Sequence, residues 1–158
     1  MKKAIKILIH LTLTLAFVAY IAYQFRTDPI GRMAGKAVTG MEVAYPKNWD
    51  FTSEHRLMAV EVRPSAPHSV TTVSFIYEGD LHIPALNGAG KNWTAYAMAD
   101  PRARLKIGGK VYPVKLTRVP ESDIAAMAQS LSEKYHWMLA DGSDRPLPST
   151  WFFRVTER

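Results

Sequence analysis

The stretch RARLKIGGKVYPVKLTR, residues 102–118, decides how this chain is read. Each half alternates apolar and polar side chains, the period of a half-buried strand. Gly108-Gly109 joins them as a two-residue turn of the kind that needs positive φ. In such a hairpin facing residues sum to a constant, so Ile107 faces Lys110, Leu105 faces Tyr112 and Ala103 faces Val114. That face is apolar and self-consistent. The other face carries Arg102, Arg104 and Lys106 opposite Lys115, Pro113 and Val111. Arg102 directly across from Lys115 costs a few tenths to about 1 kcal/mol unless water or an anion separates them. The row is thus either a seat for a phosphate or a charged strand face that discourages edge pairing.

Working outward, HRLMAVEVR (55–63) sets Met58, Val60 and Val62 against Leu57, Glu61 and Arg63, a second strand stopped by Pro64 and Pro67. SVTTVSFIYEGDLHIPAL (69–86) reads as a hairpin with Val73, Phe75 and Tyr77 on one face and Glu78-Gly79-Asp80 as its turn. KNWTAYAMAD (91–100) reads as a short helix, capped by Asn92, that ends before Pro101 and presents Trp93, Tyr96 and Ala97 together. Ile124, Met127, Ala128, Leu131 and Tyr135 recur at helical spacing behind a Ser122 cap. A loop (140–149) and a last strand, TWFFRVTE (150–157), follow. Hairpins, a short helix, a hairpin, a longer helix and a strand make an α+β or small-barrel domain. They lack the alternating βαβ units of a doubly wound nucleotide fold.

The first thirty residues have another character. Ala4–Phe25 is almost uninterruptedly apolar once Lys6 is passed, and about twenty residues of helix cross a bilayer core. His10, Thr12 and Thr14 are mild blemishes, and Tyr20, Tyr23 and Phe25 stand where an aromatic belt lies. A cleaved signal needs small residues at the cut, whereas Tyr20 precedes Ala22 and Phe17 precedes Ala19 by two positions. The segment therefore reads as an uncleaved single-pass anchor in the cell inner membrane. Lys2, Lys3 and Lys6 nearly balance Arg26, Arg32 and Lys36 across it, so orientation rests on a slight preference for the N-terminus inside. The expected division is an anchor over 1–26, a Pro- and Gly-marked tether over 27–53 and a domain over 54–158.

Charge and composition exclude several classes. The formal charge is +6 over 158 residues, but without Lys2, Lys3 and Lys6 the balance is 17 basic against 14 acidic, or +3. That is too weak an excess for a nucleic-acid binder. With no cysteine, thiolate catalysis and Cys-ligated metals are excluded. His55, His68, His82 and His136 have no metal-ligand spacing, and no GxSxG elbow occurs. ALNGAGKNWT (85–94) places Gly88, Gly90 and Lys91 before a helix without being a Walker loop, since Ala85 stands at its first glycine and Asn92 at its Ser/Thr. It is either a connector or a backbone cradle for an anion at the helix start.

From Val70 to Val119 the pattern resembles the central part of the FMN-binding split-barrel superfamily, and is most similar to the deazaflavin-dependent nitroreductase or quinone reductase family. Trp93 stands at that family's helix Trp, Ala99-Asp100-Pro101 at its Ala-Asn-Pro turn, and Gly108-Gly109 with Tyr112 and Val114 at its Gly-Gly hairpin. Where the family carries Arg-x-Ser/Thr-Gly-x-x-Arg, this chain offers Arg63, Ser65, His68 and Ser69, and NGAGKNW replaces its Gly-Gly-x-Pro loop. The resemblance implies FMN or an F420-like deazaflavin as cofactor. Its implied phosphate donors are Arg63, Lys91 and the backbone of Gly88 to Gly90. The ring would lie near Trp93 or on the strand around Thr71 to Ser74, with His68, Ser69, Thr71, Thr72 and Asn87 along the same surfaces. No side chain is assigned as catalytic. Hydride transfer to a quinone or nitro compound would belong to the cofactor, and a homodimer would complete the site. The alternative is a tethered split barrel without chemistry, serving binding or assembly.

Overall fold

The computed structural model describes residues 2–135 and 149–158. In chain order its elements are α1 (Lys2–Gln24), β1 (Met41–Glu42), β2 (Met58–Val62), β3 (His68–Thr72), β4 (Phe75–Tyr77), β5 (Asp80–Ala85), α2 (Asn92–Ala99), β6 (Arg102–Ile107), β7 (Lys110–Arg118), α3 (Ile124–Lys134) and β8 (Trp151–Glu157). The β6–β7 hairpin has the register its alternation predicts, from Ile107 opposite Lys110 to Arg102 opposite Lys115. Gly108 (φ 55°) and Gly109 (φ 82°) supply the two left-handed positions such a turn demands. Glu78 (φ 51°) and Gly79 (φ 84°) do the same between β4 and β5.

The strand path runs β3-β2-β6-β7-β8-β5-β4, with β1 alongside β7. Its two end strands, β3 and β4, are separated in sequence only by Val73 and Ser74. The sheet must therefore curl until its ends nearly meet, giving an α+β split barrel with one seam. The run expected as one hairpin arm is for this reason two strands: His68–Thr72 pairs with β2, while Phe75–Tyr77 pairs with β5. Inside the barrel Val60, Leu81, Ile83, Leu105, Val114 and Phe153 are fully buried. Outside it, α3 lays Ile124, Met127 and Leu131 over Phe75, Val73 and Phe152 beside the seam. Tyr135 locks this arrangement, its hydroxyl 3.0 Å from the Arg56 carbonyl and 3.1 Å from that of Ser74.

Both expected side-chain caps are absent. Asn92 is the first helical residue of α2, Lys91 holds the cap position, and the Thr94 hydroxyl lies 2.6 Å from the Gly88 carbonyl and 2.7 Å from that of Lys91. Ser122 turns its hydroxyl to Asp123 in a 3₁₀ turn that precedes α3. His136 and the loop over 140–148 lie outside the described residues.

The stretch expected as a tether is laid along the barrel. Gly35 exchanges backbone hydrogen bonds with Ser69 at 2.8 and 3.2 Å, and β1 runs parallel to β7. Trp49, 2 % exposed, packs against Tyr45, Phe51 and Tyr112 at ring separations of 5.4, 5.9 and 5.4 Å. Barrel packing thus begins before Glu54. α1 stands apart with its apolar side chains exposed, and Lys3–Gln24 is long and apolar enough by length and composition to cross a membrane. Thr12 and Thr14 donate to the carbonyls of Leu8 and His10, so neither hydroxyl is unsatisfied in the helix.

Candidate functional site

The basic row is neither a phosphate seat nor a bare charged edge. Arg104 forks onto Glu61, Nε to Oε1 at 2.9 Å and Nη2 to Oε2 at 2.6 Å. Glu61 is 4 % exposed, and its Oε2 also accepts the Val38 N–H at 2.6 Å. Lys106 meets Asp28 at 2.9 Å, and Arg102 meets Asp100 at 2.6 Å. Hydrogen bonds from the Arg102 side chain and backbone hold the Asp100 carboxyl down at about 2. Burial pushes Asp28 up, but bonds from Thr39 and Lys106 outweigh it and leave the carboxyl below its ordinary value. Only Lys115 of the four cations stands exposed without an ion pair among the described residues. Through Arg104 and Lys106 the row holds Asp28, Val38, Thr39 and Glu42 of the segment that precedes β2.

The candidate residues do not gather in one place. On β3, Ser69 and Thr71 share the outer face with Ala59, Glu61 and Lys106, by cross-strand register. Ser69 is fully buried beneath Gly35, and its hydroxyl has no hydrogen-bond partner among the described residues. Thr71 lines a cleft of about 280 Å³ with Lys106, Asp28 and the Gly-Gly turn. His68 and Thr72 lie on the opposite face of β3, with Val70, which packs on the barrel core. Trp93 is in that core, its ring 5.2 Å from Phe153, so no free face remains to stack on a planar ligand.

The glycine loop does not make a backbone cradle. Asn87 (φ 53°) opens a 3₁₀ turn in which the Gly90 and Lys91 N–H groups donate to the carbonyls of Asn87 and Gly88. A Cβ on Gly88 would enter the Trp151 ring, which fills the space an anion would need. The Arg118 guanidinium also lies over the Trp151 ring, 3.8 Å from its centroid. Lys91 and Asn87 remain exposed at the head of α2, where the first helical N–H groups are unpaired and favour negative charge.

The arrangement that fits an anion is on the other side of α2. Arg63 adopts φ 57° at the end of β2, turns its Nε onto the Ala66 carbonyl at 2.6 Å and lays its guanidinium 4.2 Å from the centroid of Tyr96. His68 meets the same ring edge-on at 5.4 Å. No carboxylate pairs with Arg63 among the described residues, so its Nη groups are left to donate. Burial, then the charges of Arg63 and Arg26, pull His68 below its ordinary value. Such a patch offers a guanidinium fork, an imidazole and an aromatic wall to a phosphate-bearing planar molecule. Tyr96 was visible in the sequence only as a helix-face neighbour of Trp93. Its role appears because a helix of eight residues points Trp93 and Ala97 inward and Tyr96 toward the β2–β3 turn. No cluster of three or more His, Asp or Glu able to hold a metal occurs among the described residues.

No family model matches the sequence, and no curated protein matches it significantly. Solved structures match in fold. A pyridoxamine 5'-phosphate oxidase-type protein from Listeria innocua is similar over 68% of this chain and 87% of its own, at 15% identity and a TM-score of 0.51. An F420 reductase is similar over 72% of this chain and 96% of its own, at 14% identity and a TM-score of 0.51. A structure described as a domain-swapped dimer is similar over 64% of this chain and 80% of its own, at 16% identity and a TM-score of 0.50. The domain shares the split-barrel fold of these structures.

Proposed function

We propose that this chain is a membrane-anchored split barrel that binds a flavin- or deazaflavin-class cofactor and serves hydride transfer to a quinone or nitro compound. The observation that carries the reading is the patch of Arg63, His68 and Tyr96, set beside α2 in a fold shared with an F420 reductase. Fold alone does not give function, so the weight rests on that patch. Arg63 would grip a phosphate through its two Nη groups. His68, held neutral near pH 7, would offer one N–H or one lone pair, and Tyr96 would limit the orientation of a ring. Lys91 would add charge from the head of α2. The bound cofactor would supply the hydride chemistry, and the protein binding, orientation and exclusion of water.

An apolar acceptor such as a quinone suits a chain whose residues 1–26 form an anchor, and a homodimer agrees with the domain-swapped neighbour. In this scheme residues 27–53 are a strap, 54–158 the barrel, and the N-terminus lies inside. A second reading, a tethered barrel that binds or assembles without chemistry, is favoured by the Trp151 ring that fills the glycine loop and by the neutralised basic row.

Titration of the full-length protein with FMN and with deazaflavin, followed by tryptophan fluorescence, tests the first reading. Each charge-assisted bond is worth about 1.5–3 kcal/mol, so the double variant Arg63→Glu, Lys91→Glu should weaken binding at least about tenfold. Equal affinity in the variant would remove the proposed site. Absence of binding in the wild type would favour the second reading.

A further inference from the structure

Resting on the anchor reading, we propose that the loop directly after α1 is a lipid-contacting wedge, which seats the barrel on the anionic phospholipid surface of the bilayer that α1 spans. The loop is a hairpin in all but name. The Lys36 N–H donates to the Thr27 carbonyl, and Ile30 and Met33 exchange backbone hydrogen bonds at 3.1 and 2.9 Å around Gly31-Arg32. Its base is tied to the barrel through Gly35 on Ser69 and Asp28 on Lys106. It is tied equally to the end of α1. Arg26 donates to the carbonyls of Tyr23 (2.8 Å) and Ala34 (2.6 Å), and the Lys36 ammonium donates to that of Gln24 (2.7 Å). These bonds satisfy carbonyls that a helix end leaves unpaired, and they leave little slack between membrane helix and barrel.

The tip of this braced hairpin is the wrong composition for water. Ile30 is 60 % and Met33 51 % exposed, and Phe25, at the helix exit, is 79 % exposed. Arg32 sits between the two tip side chains, exposed and without an ion pair among the described residues. Large apolar side chains flanking a free cation, six to nine positions beyond the end of a bilayer-length helix, match the headgroup boundary. There apolar groups enter the acyl edge and the cation meets lipid phosphate. A partner protein would have to reach the same surface past the bilayer that α1 occupies.

The chain has no native cysteine, so single substitutions report position cleanly. Full-length Ile30→Cys and Met33→Cys variants, fluorescently labelled, would be placed in nanodiscs of phosphatidylcholine and phosphatidylglycerol. Leu13→Cys in α1 and Glu78→Cys in the β4–β5 turn are references. Nitroxide-bearing lipid should quench labels 30 and 33 at least about threefold more than label 78, while label 13 is quenched by a deep nitroxide. Labels 30 and 33 quenched no more than label 78, with label 13 deep, would overturn the wedge and leave the anchor standing. Protection from a water-soluble quencher without lipid quenching would also overturn it, in favour of contact with a second copy. Label 13 outside the lipid would remove the anchor reading and the wedge with it.

Discussion

Glu61 concentrates the energetics at the scale of single residues. It is buried, accepts from both arms of Arg104 and from the Val38 N–H, and so ties β2, β6 and the strap at one carboxylate. Glu61→Ala removes the acceptor and leaves these donors under-satisfied, so it should lower stability by about 2–3 kcal/mol in denaturant unfolding. A loss below about 0.5 kcal/mol would mean the cluster is not formed. The histidines set a pH dependence. His68 and His82 are both held below the ordinary 6.5, His68 by burial and then Arg63, His82 by burial in spite of the Asp80 carbonyl. The unfolded chain therefore binds protons that the fold refuses. Stability is complete above about pH 6.5 and falls as pH drops below it. His82→Phe, at a side chain 1 % exposed between Phe75 and Tyr77, should flatten that dependence in melting curves from pH 7.5 to 5. An unchanged slope would contradict this. The row Arg102, Arg104 and Lys106 was plain in the sequence. Its partners were not, because Asp28 and Glu61 lie 78 and 43 positions from the residues they pair with, and no periodicity connects them.

At the scale of elements, the β6–β7 hairpin was legible to the register, since Gly108-Gly109 leaves no freedom to slip. The turn read as Glu78-Gly79-Asp80 is instead the two residues Glu78-Gly79, with Asp80 already paired to Tyr77 in β5. The break at Val73-Ser74 was not legible, because alternation continues through it and the change of partner from β2 to β5 is a tertiary event. Tyr135 stabilises that break. Removing its hydroxyl with Tyr135→Phe keeps the packing of α3 on Phe75 and Phe152, so we expect a loss of about 1–2 kcal/mol. Hydrogen exchange should show the loosening first at the seam. The glycine loop behaves as packing rather than as a cradle. Gly88→Ala should displace the Trp151 ring and cost about 1–3 kcal/mol, with a shift in tryptophan emission. A variant as stable as wild type, with unchanged emission, would show that the ring does not fill that space.

For the whole molecule, the consequence is that α1, the segment after it and the barrel share one set of bonds. Lys36 and Arg26 hold the end of α1, Gly35 joins the strap to β3, and Asp28 and Glu61 clamp it to β6. The Asp28 clamp is present above the ordinary carboxylate value of 3.8 and is lost as pH falls through its lowered value. Fold and hairpin register were readable because they follow from alternation and turn chemistry. The proposed site was readable only in parts: Arg63 and His68 as cofactor contacts implied by the family resemblance, Tyr96 as a helix neighbour. Its assembly depends on how α2 crosses the β2–β3 turn, which no local pattern encodes. Whether the assembled patch holds a cofactor is the central question. The most direct measurement is the absorption spectrum of the full-length protein after incubation with FMN or deazaflavin and removal of free ligand by gel filtration. A retained chromophore, lost in Arg63→Glu but kept in Lys115→Glu, is the predicted result. A colourless protein after both incubations would contradict it.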